Sequence, residues 1–202
     1  AEHRGQVVGL GRDADHADAH VDRELAVLPG EAEAAHLLAH LPRDLARRLV
    51  DANLAAICDP APGAAAKLTA TLDVDAAYSD VAEMLAHPGL DAVIIATPAR
   101  FHTNVAVQAA QAGKHVFCEK PMALTLEDAD RAIAAAKAAG VSLQVGFNRR
   151  WDQAFAEARA AIDAGRVGTP QLLRSVIRDP GPFGADPAKI PLWTIFYETL
   201  IH

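Results

Sequence analysis

The sequence has little of several residue types that mark particular classes of protein. Of its 202 residues only two are cysteines, Cys58 and Cys118, and aromatic residues make up 5%. Each cysteine ends a short apolar run, which argues against a disulfide framework. No apolar run approaches the roughly 18 residues of a membrane span, and the first residues do not form a signal-peptide core. We therefore expect a soluble, cytoplasmic protein without a membrane partner.

Positive charge is also scarce. The chain has 19 Lys and Arg against 26 Asp and Glu, which gives a formal net charge of -7 and a pI near 5.7. Nucleic-acid binding surfaces need clustered Lys and Arg, so no nucleic-acid partner is expected. Hydrophobic residues make up 51% of the chain, which excludes a disordered protein. The length allows one full domain and part of a second.

Short apolar runs alternate with longer alanine-rich stretches along the chain. This alternation predicts parallel strands joined by helices, and hence a doubly wound α/β sheet. Thr125 with Asp128 has the form of a capping box that opens a helix over Leu126–Ala139, and Gly140 stands where a helix-ending glycine belongs. The predicted strands are Gln6–Leu10, Leu54–Cys58, Ala92–Thr97, His115–Cys118 and Ser142–Phe147, and further helices are predicted over 80–86 (opened by Ser79), 103–112 and 152–163.

A glycine-rich turn follows the first predicted strand. Residues 9–14 read G-x-G-x-x-A, a pattern in which Gly9 permits a tight turn and Gly11 lets the backbone approach a pyrophosphate. The N-terminus of the helix that follows such a turn binds the anion. Gly9, Gly11 and Arg12 are therefore candidate cofactor contacts. The alternative is a chance match to ordinary turn glycines.

Asp59 follows the second predicted strand and is the candidate partner of this turn. A carboxylate there accepts hydrogen bonds from a ribose hydroxyl and repels a 2′-phosphate, which favours NAD over NADP. Asp59 lies 50 residues beyond Gly9, about twice the usual separation. The excess falls in residues 13–50, which we interpret as an insertion. In the alternative interpretation, Asp59-Pro60 is a simple turn.

Four further motifs resemble a single family. They are Asp91–Pro98 with His102, Ala112–Pro121, Gln144–Asp152 and Phe196–His202, and the sharpest is the E-K-P of residues 119–121. Together they resemble the Gfo/Idh/MocA oxidoreductases, most closely the inositol 2-dehydrogenase branch. The resemblance implies a Rossmann NAD-binding domain over 1–147, the start of a C-terminal substrate domain over 148–202, and full-length relatives that are homo-oligomers. It implies hydride transfer from a secondary alcohol of a cyclic polyol or sugar to NAD.

The resemblance also implies which residues act. This chemistry needs a base for the hydroxyl proton, a cation beside the developing alkoxide, and an acid that orients the base. Lys120 is implied to be the cation and proton relay, and His202 the base. Glu198, one helical turn before His202, takes the place of the family's usual Asp. Four residues are implied to line the nicotinamide side and one the polyol: Thr97, Pro98, His102 and Glu119, and then Arg149.

The chain departs from the family pattern in three places. Asp13-Ala14 replaces a residue followed by Gly, residues 193–195 replace two glycines, and the sequence ends at His202. Two alternatives therefore stay open: a non-catalytic nucleotide-binding fragment, and an aldose or ketosugar oxidoreductase. No metal site is expected, because the helix-spaced pairs His16/His20 and His36/His40 have no accompanying Cys or H-E-x-x-H pattern.

Overall fold

The computed structural model describes residues 23–29 and 52–176, and its centre is a parallel sheet. Six strands lie in the order β3-β2-β1-β4-β5-β6. This is the order of a doubly wound dinucleotide-binding sheet, so the predicted fold class is confirmed. The strands are β1 (Arg23–Pro29), β2 (Ala52–Cys58), β3 (Ala76–Tyr78), β4 (Leu90–Ala96), β5 (His115–Cys118) and β6 (Leu143–Val145).

The central strand is not the one that the sequence predicts. Gln6–Leu10, the first predicted strand, lies outside the described residues, and the place between β2 and β4 is held by Arg23–Pro29. Leu25, Ala26 and Val27 form the apolar centre of this strand, and Ala26 is fully buried. The connection to β2 then covers residues 30–51, a usual length for a crossover between parallel strands. The region interpreted as an insertion thus supplies the middle of the sheet.

The helices follow the predicted capping chemistry with one correction. The hydroxyl of Thr125 accepts the Asp128 N–H at 3.1 Å, and Gly140 has a left-handed φ of 69°, as predicted. The helix predicted to open at Ser79 is instead capped by Asp80, because Asp80 is extended and its carboxylate accepts the Glu83 N–H at 3.0 Å. The described helices are α1 (Ala64–Leu72), α2 (Val81–Leu85), α3 (Ala99–Gln111), α4 (Leu126–Ala139) and α5 (Gln153–Asp163), with a 3₁₀ turn at Asn148–Arg150.

The core lies between the sheet and the helices that flank it. Ile57 of β2 and Val93 and Ile95 of β4 are fully buried, as expected for strands covered on both faces. Ala106 and Ala109 are the buried residues of α3 that let this helix approach the sheet closely. In the part of the chain that the structure describes, no helix is long and apolar enough to cross a membrane.

Both cysteines end strands and are fully buried, so we expect their thiols to be unreactive in the folded protein. Burial, together with a smaller effect of neighbouring carboxylates, raises the pKa of Cys58 and of Cys118 to about 12. Because the thiolate is the nucleophile, iodoacetamide at pH 8 should modify neither residue until urea unfolds the chain. Alkylation followed by mass spectrometry measures this.

The same raised pKa values predict a loss of stability in alkali. A thiol held neutral by the fold contributes fully below its unfolded pKa near 9, and this contribution disappears as the pH rises toward 12. The outcome that contradicts both predictions is rapid alkylation of the native chain at pH 8, which would show that the two thiols are not buried as described.

Candidate active site at the carboxyl edge of the sheet

Four of the predicted site residues come together at one edge of the sheet. Because the strands are parallel, their carboxyl ends share this edge, which is where open α/β sheets bind ligands. Asp59 follows β2, Thr97 follows β4, and Glu119 and Lys120 follow β5. Their roles in binding or catalysis stay predictions, but the fold places all four positions at this edge.

Two hydrogen bonds hold Asp59, one to its side chain and one from its backbone N–H. Its carboxylate Oδ1 accepts the Ala61 N–H at 2.8 Å, and its own N–H donates to the Tyr78 carbonyl at 3.1 Å. The residue is 9% exposed. Asp59 is therefore both the turn residue and the acid at the end of β2. Sequence analysis missed Tyr78, because β3 has only three residues and leaves no periodic pattern.

Thr97 presents a polar atom at this edge. Its hydroxyl Oγ1 is buried and has no hydrogen-bond partner among the described residues. A buried hydroxyl without a partner costs free energy, so such groups in native proteins call for an explanation. Pro98, the next residue, begins α3, and its carbonyl accepts the Phe101 N–H at 2.9 Å. The Thr97 hydroxyl, at the end of β4, is thus an unsatisfied polar group within the described part of the chain.

Lys120 lies in a short segment that is anchored before and after it. The Glu119 N–H donates to the Ile95 carbonyl at 2.9 Å, and the Glu119 carboxylate accepts the Lys120 N–H at 3.1 Å. Pro121 is buried, and its carbonyl lies 2.7 Å from Nδ1 of His102. The backbone of Lys120 is therefore held between β4 and α3. An ammonium group at a fixed place is suited to stabilising a developing negative charge.

His102 does not face the open edge. Its ring is 1% exposed, with Nδ1 beside the Pro121 carbonyl and Nε2 beside the Thr97 carbonyl. The expectation that His102 lines the nicotinamide side stays a prediction, and the contacts of its ring are with backbone carbonyls. The ring is positioned to hold two backbone segments, because α3 directs it under the edge and both nitrogens are occupied there.

Gly146 follows β6 and gives the Glu119 side chain its space. A Cβ at this position would lie 3.1 Å from the Phe117 ring and 3.3 Å from Glu119 Oε1. We expect Gly146→Ala to lower the free energy of unfolding by about 1–3 kcal/mol, because a tightly packed position does not accept the extra methyl. Urea denaturation measures this. Adding Phe117→Leu should recover part of the loss, and a fully additive double variant would refute the steric explanation.

Arg149 lies on the 3₁₀ turn after β6. Its guanidinium is 5.3 Å from the centre of the Phe155 ring, a cation–π distance. The Asp152 carboxylate, three residues on, caps α5 by accepting the Ala154 N–H at 3.0 Å. A contact of Arg149 with a polyol stays a prediction.

Several predicted site residues fall outside the described part of the chain. These are Gly9, Gly11, Arg12, Glu198 and His202, and their roles stay predictions. The four helix-spaced histidines also lie outside it. Among residues 23–29 and 52–176, no group of three or more His, Cys, Asp or Glu is placed to hold a metal ion.

Comparison with known proteins agrees with this geometry. A family model described as "Oxidoreductase family, NAD-binding Rossmann fold" (GFO_IDH_MocA) matches residues 29–147. The chain belongs to the Gfo/Idh/MocA oxidoreductase family. The family match begins at Pro29, the last residue of the central strand β1. The resemblance found in the sequence motifs is thereby confirmed.

Among its Gfo/Idh/MocA relatives are inositol dehydrogenases. The chain is 39% identical over 152 residues to myo-inositol 2-dehydrogenase of Thermotoga maritima, covering 75% of this chain and 45% of that protein. It is 38% identical over 162 residues to scyllo-inositol 2-dehydrogenase (NAD(+)) of Bacillus subtilis, covering 79% and 46%. The scyllo-inositol dehydrogenase of Lactobacillus casei, solved with NAD(H) and scyllo-inositol, superposes with a TM-score of 0.64 at 28% identity, covering 73% and 42%.

The chain thus spans about half the length of the curated relatives it matches. The described residues of this family member fit a nicotinamide dinucleotide at two points. Asp59 supplies a carboxylate at the end of β2, where a ribose would lie, and Thr97 supplies the buried hydroxyl without a partner among the described residues.

Proposed function

We propose that this chain carries the NAD-binding half of a dehydrogenase that oxidises a secondary alcohol of an inositol-type cyclic polyol. The observation that carries the proposal is the segment Glu119–Pro121, whose anchored backbone holds Lys120 at the carboxyl edge of the sheet. The inositol dehydrogenases among its relatives support the substrate class.

The proposed roles follow from charge and position. Bound NAD would supply the hydride acceptor. Lys120 would place its ammonium beside the substrate oxygen and stabilise the alkoxide as the proton leaves. His202 is proposed as the base that accepts this proton, with Glu198 orienting it and Arg149 contacting the polyol. Asp59 would accept hydrogen bonds from the adenosine ribose and disfavour a 2′-phosphate.

A second candidate function is nucleotide binding without catalysis. The chain spans 45% and 46% of the inositol dehydrogenases it matches, and its described residues support dinucleotide binding more directly than catalysis. The two functions are separated by following NADH absorbance when the chain is mixed with NAD and myo- or scyllo-inositol. Steady NAD reduction would reject the binding-only function, whereas NAD binding with no reduction would reject catalysis by this chain.

The position of β1 predicts which glycine matters for the pyrophosphate. In doubly wound sheets the phosphate-binding turn follows the central strand, and here that strand ends at Pro29, next to Gly30. We expect Gly30→Val to weaken NAD binding by about tenfold or more, since a side chain keeps the backbone from the anion. The comparison is the double variant Gly9→Val/Gly11→Val, which should weaken NAD binding only if the glycine pattern after Gln6–Leu10 holds the phosphates.

Calorimetric titration with NAD measures both variants. Loss of binding in the Gly9/Gly11 variant alone would show that Gln6–Leu10, with its glycine pattern, replaces Arg23–Pro29 as the strand before the phosphate site. The predicted roles of Gly9, Gly11 and Arg12 would then hold.

A further inference from the structure

His102 carries an arrangement that its burial alone does not explain. Nδ1 lies 2.7 Å from the Pro121 carbonyl oxygen, and Nε2 lies 2.5 Å from the Thr97 carbonyl oxygen. Carbonyl oxygens only accept hydrogen bonds, and a neutral imidazole has one N–H donor and one bare acceptor nitrogen. In either neutral tautomer, one ring nitrogen would meet a carbonyl lone pair without a proton between them.

We propose that His102 is held as an imidazolium that donates from both ring nitrogens, and that it is a positioning residue for Lys120. Both distances are at or below the range of charge-assisted N–H···O bonds, about 2.7–2.9 Å. Two such bonds compensate for burying the positive charge. They also offset the unfavourable interaction between a cation in the first turn of α3 and the helix dipole.

The two accepting carbonyls belong to different segments of the edge. Thr97 follows β4, and Pro121 directly follows Lys120. A doubly donating ring ties these segments together, whereas a neutral ring can donate to only one of them. Losing the proton therefore removes one anchor of the segment that carries Lys120. The consequence for Lys120 rests on the proposed function, but the protonation of the ring does not.

The charged groups around α3 are consistent with a positive ring. Glu119, one residue before Lys120, is the acid on the segment that His102 holds, and its carboxylate also accepts the Lys120 N–H. The Arg100 guanidinium lies 4.5 Å from the Phe101 ring centre. The elements around α3 carry further charged or titratable groups. They are Glu83 on α2, Asp91 at the start of β4, His115 and Cys118 on β5, and Asp128 on α4, which pairs with Arg131 at 2.7 Å.

The first test reads the protonation of the ring directly in the full 202-residue chain. A long-range ¹H–¹⁵N spectrum of the histidine side chains distinguishes an imidazolium, with two protonated nitrogens, from either neutral tautomer. We expect the imidazolium for His102 at neutral pH. His115 is the internal control, because its Nδ1 accepts the Ser142 N–H at 3.0 Å and must be bare in that bond. A bare nitrogen in the His102 ring would overturn the proposal.

The second test reads the position of Lys120. Acylation of the native chain is followed across pH by peptide mass spectrometry, with Lys114, which donates to the Leu90 carbonyl at the other end of the sheet, as the control lysine. Acylation of every lysine rises with pH as its amine loses a proton, so we expect the ratio of Lys120 to Lys114 labelling to show an additional several-fold rise when the His102 ring loses its second proton. In His102→Phe this step should be absent.

A parent chain without the step, or a His102→Phe chain that keeps it, would overturn the positioning role. If His102→Phe does not fold, His102→Gln serves, because its amide can bond one of the two carbonyls and should also lack the step. Neither readout uses NAD or turnover, so failure of the proposed function and failure of this proposal give different results.

Discussion

Lys120→Met is expected to lower the rate of hydride transfer by about 10³-fold and to leave the Kd for NAD within about twofold. The reason is that the variant removes the ammonium that stabilises the alkoxide but keeps a side chain of similar length. The anchors of this segment are the bond from the Glu119 N–H to the Ile95 carbonyl and the contact of the His102 ring with the Pro121 carbonyl, and neither involves the amine. The rate is measured in a single turnover with NAD and myo- or scyllo-inositol.

Lys114→Met is the matched control. Lys114 also precedes a buried segment, but its ammonium donates to the Leu90 carbonyl at 2.7 Å, at the amino end of the sheet. This variant should keep the parental rate of hydride transfer and lose some stability instead. Equal turnover by Lys120→Met and the parent would remove Lys120 from the reaction, whatever the cofactor affinity.

Asp59→Ala is expected to weaken NAD binding by about tenfold or more and to narrow the preference for NAD over NADP. Hydrogen bonds to a charged acceptor contribute about 1.5–3 kcal/mol each, and about 1.4 kcal/mol corresponds to tenfold in affinity. The carboxylate also repels a 2′-phosphate, so its removal favours NADP. Titrating the variant with each dinucleotide measures both effects.

Asp59→Asn separates the charge from the turn. Its amide oxygen can still accept the Ala61 N–H, which the Asp59 carboxylate accepts at 2.8 Å. Asn should therefore keep the thermal stability of the parent and still lose selectivity against NADP. If Asp59→Asn binds both dinucleotides as the parent does, Asp59 is a turn residue and not the ribose acceptor.

The sequence was most informative where local chemistry decides the structure. The cap at Thr125 and the left-handed Gly140 fixed both ends of α4 correctly, because each depends on residues within one turn. The E-K-P motif located the segment around Lys120 for the same reason. Such features can be predicted from a single chain, since few other conformations satisfy their hydrogen bonds.

The sequence was least informative where distant segments compete for one place. Gln6–Leu10 and Arg23–Pro29 are both short apolar runs, and only pairing with β2 and β4 decides which one enters the sheet. The role of His102 was missed for a similar reason. Its two carbonyl partners are 5 and 19 residues away, so no local pattern reveals that both ring nitrogens are occupied.

The most direct test of the central claim is a calorimetric titration of the 202-residue chain with NAD and, in parallel, with NADP. The fold order, Asp59 at the end of β2 and the Thr97 hydroxyl predict saturable NAD binding that is clearly tighter than NADP binding. Binding of neither dinucleotide, or a preference for NADP, would contradict the assignment of this edge as an NAD site.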